Sequence, residues 1–83
     1  MQSNGKKREL PLAQVLRKRR KVLGLTQEQL AKFADCSVPY VYLLENGKAT
    51  VRLDKLITVL TILGLQLKVE AGKEGLRVDE KLK

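Results

Sequence analysis

The side chains best able to do chemistry in this sequence are cationic. Seventeen Lys and Arg stand against nine Asp and Glu, with no histidine and one cysteine, Cys36. Such an inventory holds no Cys–His pair, no zinc ligand set, no P-loop and no glycine-rich phosphate loop. No enzyme, cofactor or metal site is therefore expected. What the cations offer is attraction to a polyanion, nucleic acid ahead of an acidic membrane surface. A plain solvated basic surface is the competing explanation. The excess is concentrated: residues 1–23 carry eight basic residues and one acid, a net of +7, while 24–50 come to −1 and 51–83 to +2. Inside the first block lies the run Arg17-Lys18-Arg19-Arg20-Lys21. Five consecutive helical residues sweep more than a full turn, so they cannot all face solvent. At least one Arg must lean inward, and a partly buried Arg needs an acid.

Elements must position those charges, and the chain length limits how. Eighty-three residues make one small domain, which buries only roughly 60% of its unfolded surface. A single cysteine cannot form an internal disulfide. Stability must come from a compact helical core, from a dimer, or from both. With one Cys, no apolar run of about 18 residues and no signal-peptide pattern, a soluble reducing compartment is expected.

Residues 1–10 read as a flexible basic arm. A first helix is expected from Pro11 to Leu23, closed by Gly24, with Leu12, Leu16, position 19 or 20, and Leu23 on its inner stripe and Val15 and Val22 beside it. Thr26 and Gln29 form a capping box for a second helix reaching Ala34, whose buried face is Leu30, Ala31 and Ala34 with Phe33 alongside. Asp35-Cys36-Ser37 makes a three-residue turn. Ser37 caps a third helix that carries Pro39 in its first turn and closes at Asn46-Gly47. A fourth helix spans about 53–63, with Leu53, Leu56, Ile57, Leu60 and Leu63 on one face. Residues 65–71 then alternate, which is a half-buried strand pattern. Residues 72–83 form a charged tail with no packing pattern, expected to be disordered.

Two short helices joined by a three-residue turn between Gln27 and Glu45 have helix-turn-helix dimensions. The stretch L-G-L-T-Q-E-Q-L-A-K-F-A-D-C-S-V-P-Y-V-Y-L-L-E-N-G-K resembles the Cro/CI (XRE) helix-turn-helix of phage repressors. With T-V-R-L-D-K-L-I-x-V-L-x-x-L-G-L-Q-L added, the chain resembles the HipB-like antitoxin branch. The resemblance covers about residues 12–70. It implies a mainly α fold: a lambda-repressor-like bundle of four short helices over 11–71, followed by one C-terminal β-strand paired across a dimer. It also implies the bacterial cytoplasm and the nucleoid.

The resemblance assigns Gln27, at the start of helix two, to backbone phosphate, a place where free amides favour an anion. A capping neighbour is the plainer role. Arg20 and Glu45 match an internal ion pair between helix one and the end of helix three. With Val41 and Leu44 inward, Val38, Pro39, Tyr42 and Leu43 turn outward on helix three. The family reads bases there, usually with polar side chains. Here Val and Pro can touch thymine methyls and Tyr42 can hydrogen-bond a base or phosphate, but no Arg–guanine or Gln–adenine pair is on offer. This face could instead bind protein or discriminate sequences poorly. Ser37 and Tyr40 could hold phosphate from the flanks. Asn46, Lys48, Thr50 and Arg52 surround the following loop, where relatives contact phosphate. Asp35 stands where the family generally has Gly, and Asp tolerates left-handed backbone. Cys36 reads as semi-buried packing.

The expected function is thus a sequence-specific regulator of double-stranded DNA, a repressor on a palindromic operator. The HipB-like resemblance adds an antitoxin that holds a HipA-like toxin kinase. The alternative is a protein-interaction module with weak DNA specificity. A membrane-surface peptide fits poorly, because the helices are capped and core-forming. A lone strand leaves its amides and carbonyls unpaired. A homodimer is therefore expected, closed by strand 65–71 with Val59, Ile62, Leu65, Leu67 and Val69 burying the apolar face.

Overall fold

Proline cannot donate a backbone N–H, so it suits the first turn of a helix, and the first helix of the computed structural model begins on one. The structure describes residues 11–47, 51–73 and 75–78. Among these are four helices: α1 (Pro11–Val22), α2 (Gln27–Phe33), α3 (Val38–Glu45) and α4 (Leu53–Ile62). The basic arm 1–10, Lys48 and Thr50 in the loop after α3, and the end of the tail lie outside the described residues.

Side-chain caps start the two middle helices. Thr26 Oγ1 accepts from Gln29 N at 3.0 Å while Gln29 Oε1 accepts from Thr26 N at 2.9 Å, satisfying two end amides of α2 at once. Ser37 Oγ accepts from Tyr40 N at 3.1 Å and opens α3. Between them Asp35 adopts φ 54°, the left-handed region that lets Cys36 N return to Ala31 O at 2.9 Å. Lys55 reaches across from α4 and donates Nζ to the Asp35 carbonyl at 2.7 Å. α4 ends on Gly64 at φ +73°, where a Cβ would meet Arg19 Nη2 at 3.3 Å. The left-handed backbone favours glycine there, and a side chain would in addition ask the Arg19 guanidinium to give by a few tenths of an ångström.

The core sits where α3 crosses α2 and α1 and where α4 lies against α2. Leu16 of α1, Leu30 and Ala31 of α2, and Val41 of α3 are closed off from solvent, and Leu56, Leu60 and Leu63 complete the packing from α4. Each fully buried Leu contributes about 2 kcal/mol by area.

Several sequence expectations shift by one face. Ala13, not Leu23, joins Leu16 inside. α1 stops at Val22, and Leu23, which still donates its N–H to Arg19 O at 3.0 Å as the helix closes, is exposed. Phe33, at the last position of α2, also points outward. On α4 the inner face is Leu56, Val59, Leu60 and Leu63, which turns Leu53 and Ile57 to solvent. Val59 is only 1% exposed within its own chain, so it fills this core and has no surface left for a partner. Of the other residues expected at a dimer face, Ile62 and Leu65 are half-buried against the core, while Leu67 and Val69 are exposed. Residues 65–72 form no strand: a ladder needs a second strand, and none lies beside this segment among the described residues of the one chain.

Candidate nucleic-acid interface

The buried carboxylate at the end of α3 organises the site. Glu45 is 2% exposed and stands alone as a buried charged residue among those described. Arg20 grips it with a fork, Nε to Oε2 at 2.6 Å and Nη2 to Oε1 at 3.0 Å. A two-point grip fixes orientation as well as distance. Its hydrogen bond to Glu45 raises the Arg20 pKa, burial opposes that, and the attraction of the two charges adds to it. Arg20 Nη1 also donates to Leu25 O at 2.9 Å, which pins the loop between α1 and α2. Gln27 completes the cluster, donating Nε2 to Glu45 Oε1 at 3.1 Å. Gln27 is therefore held at the start of α2 against the end of α3, and its second amide hydrogen remains to be donated.

Two further arginines of the basic run are also engaged, a feature no side-chain pattern announces because their partners are backbone carbonyls. Arg17 Nη1 donates to Glu45 O at 2.7 Å and Arg19 Nε donates to Leu63 O at 2.8 Å. Each caps the carbonyl end of a neighbouring helix, where a cation is favoured. Three of the five cations thus point at protein, while Lys18 and Lys21 stand exposed.

α3 presents its other side outward. Val41, Leu44 and Glu45 face inward, and at about 100° per residue the opposite arc reads Val38, Tyr42, Pro39, Leu43. All four are exposed. No Lys, Arg, Gln or Asn lies within α3. Several neighbours expected to bind phosphate are already partnered. The half-buried Tyr40 donates its hydroxyl to Arg52 O at 2.8 Å, and burial pushes its phenol pKa up. Asn46 Nδ2 donates to Tyr42 O at 2.7 Å. Arg52 Nη2 donates to Asp54 Oδ2 at 2.7 Å and Nε to Oδ1 at 3.2 Å, and these bonds hold the Asp54 carboxyl below its usual pKa. The Arg52 pair is exposed on both sides, so it is weak and open to exchange for another anion. Ser37 spends its acceptor on the helix cap and keeps a hydroxyl hydrogen.

No group of three or more His, Cys, Asp or Glu that could hold a metal ion occurs among the described residues. No helix among them is long and apolar enough to cross a membrane.

The fold is similar to that of known proteins. Solved structures similar to this one include the restriction-modification controller protein C.AhdI from Aeromonas hydrophila, at 32% identity and TM-score 0.62 over 69% of this chain and 86% of that one. Two structures of the clp gene regulator ClgR from Corynebacterium glutamicum also match. One has 32% identity and TM-score 0.61 over 68% of this chain and 60% of that one. The other has 29% identity and TM-score 0.64 over 77% and 85%. No curated protein sequence matches. A helix-turn-helix family model, HTH_3, matches residues 16–69, from the middle of α1 to the segment beyond α4. With α2 and α3 joined by a tight turn and braced on α1, the chain belongs to this helix-turn-helix family, which is of the XRE type.

Proposed function

We propose that this chain is a sequence-specific regulator of double-stranded DNA that acts as a homodimeric repressor on a palindromic operator. The observation that carries this reading is α3 itself: its inner face is locked by the Arg20–Glu45–Gln27 cluster, and its outer arc stands free. A helix fixed on one side and open on the other can enter a major groove without reordering. The net charge of +8 supplies the general attraction to phosphate. The similar controller protein and clp gene regulator support a regulatory role. Gln27, Ser37, Asn46, Lys48, Thr50 and Arg52 are the proposed flanking contacts, and Val38, Pro39, Tyr42 and Leu43 the proposed groove contacts. Arg52 would exchange Asp54 for phosphate. Tyr40 would act by positioning the Arg52 backbone, since its hydroxyl is already donated there.

Fluorescence anisotropy of the full chain tests the reading. A selected duplex is expected to bind more tightly than its scrambled counterpart at ~150 mM salt, with log affinity falling linearly as log salt rises. Gln27→Ala is expected to weaken all duplexes alike, whereas Tyr42→Ala changes which one is preferred. Equal affinity for both duplexes would defeat the proposal. The antitoxin role rests on the HipB-like resemblance alone. Co-expression with a HipA-like kinase tests it: no complex and no rescue would leave a stand-alone regulator.

A further inference from the structure

The outer arc of α3 offers a base pair very little to hydrogen-bond with. Val38, Pro39 and Leu43 bring only hydrocarbon, and Tyr42 brings one hydroxyl on a largely exposed ring. The polar side chains at the edges of the arc add little: the Ser37 hydroxyl and one amide hydrogen of Gln27 stay open at the start of α3 and α2, and the rest are turned inward. Asn46 is turned back onto the Tyr42 carbonyl, Tyr40 onto the Arg52 carbonyl and Gln27 onto Glu45. In the major groove the bases display hydrogen-bond donors, acceptors and one apolar group, the C5 methyl of thymine. Cytosine methylated at C5 displays the same group in the same place. The helix-turn-helix family match makes DNA the occupant to test on this face, and the +8 of the whole chain adds a general attraction to phosphate, although residues 24–50 themselves carry a net of −1.

Resting on the DNA-binding reading above, we infer that Val38 and Leu43 make this chain a reader of pyrimidine C5 methyl groups, so that operator binding responds to cytosine C5 methylation. Most of the sequence preference then comes from methyl contacts, and Tyr42 supplies one polar discrimination. Methylation of cytosine at a contacted position strengthens binding, because it fills the contact that thymine would make.

The test alters the DNA first, so that no protein variant has to fold. The full-length chain selects a duplex from a random library. Each thymine of that duplex is then replaced singly by deoxyuridine, which removes only the methyl. At contacted positions the loss expected is about four-fold per methyl, the equivalent of about 0.8 kcal/mol. At those same positions 5-methylcytosine is expected to bind about four-fold more tightly than cytosine. In Val38→Ala or Leu43→Ala the uracil penalty at the matching position disappears, while the salt dependence stays. Indifference to uracil at every thymine, in a duplex the chain does select, would overturn the inference and leave the regulator reading standing. Such indifference is also what a protein-binding role for this face would give. Failure to enrich any duplex would overturn both.

Discussion

Removing Arg20 would leave the Glu45 carboxylate, sealed inside the bundle, with only the Gln27 amide at its side-chain oxygens. Arg20→Met is therefore expected to lower stability by about 3 kcal/mol, the cost of stranding one partner of a buried pair. The double variant Arg20→Met/Glu45→Leu should recover much of that loss, because two apolar side chains can replace a buried pair at little cost. Urea midpoints at unchanged m-value measure both. A pH effect belongs to Cys36, whose thiol is pushed up mainly by burial. A raised folded pKa gives stability that is complete below the unfolded thiol pKa and is lost as pH rises through the higher folded value. The stability advantage of the wild type over Cys36→Ala should accordingly shrink across the alkaline range, which urea melts at successive pH values would show. Residue identities made part of this site legible. A run of five cations had to send an Arg inward, and Glu45 was the acid that the family pattern supplied. Arg17 and Arg19 were not legible, because the carbonyls of Glu45 and Leu63 leave no mark in side-chain chemistry.

Among the elements, the turn between α2 and α3 carries a strain that can be relieved. Asp35 holds φ 54° with its side chain fully exposed; its carboxylate stands 3.8 Å from Lys55 Nζ, a solvent-screened pair worth little, and what anchors the turn is its backbone carbonyl on the same Lys55. Asp35→Gly keeps that anchor and removes the left-handed cost of about 1 kcal/mol, part of which the freer unfolded chain takes back. A net gain of about 0.5 kcal/mol is expected, read as a higher urea midpoint. Element positions were legible for a similar reason: Thr26, Ser37, Pro39 and the glycines mark ends through local backbone chemistry. Faces were less so. Leu23 and Phe33 sit exposed at helix ends, and the outward Leu53 and Ile57 are as apolar as the residues that fill the core. Hydrophobicity alone could not separate Val59, which packs inside, from Ile57, which does not. The alternation over 65–71 is real in the sequence, yet no ladder forms within one chain, because pairing is a property of two strands.

At the scale of the whole molecule, apolar surface remains uncovered around Leu53, Ile57, Leu67 and Val69, with Val69 97% exposed. Burying such surface in a two-fold contact is the expected source of the stability a small domain lacks. Leu67→Lys is expected to turn a dimer into a monomer in sedimentation, with loss of operator affinity at the same protein concentration. A wild type that sediments as a monomer at micromolar concentration would contradict the dimer. The two carbonyl caps on α1 bear on how such a contact would be felt elsewhere. Arg17 and Arg19 are two positions apart on one helix and so leave it on opposite flanks; one holds the end of α3 and the other the end of α4. Helix α1 is thus the pinned pivot of a pair of callipers. A displacement where the chain leaves α4 would therefore reach α3 through a single helix rather than through a loose tether, which would tie the spacing of the two α3 faces in any two-fold assembly to the geometry at the end of α4.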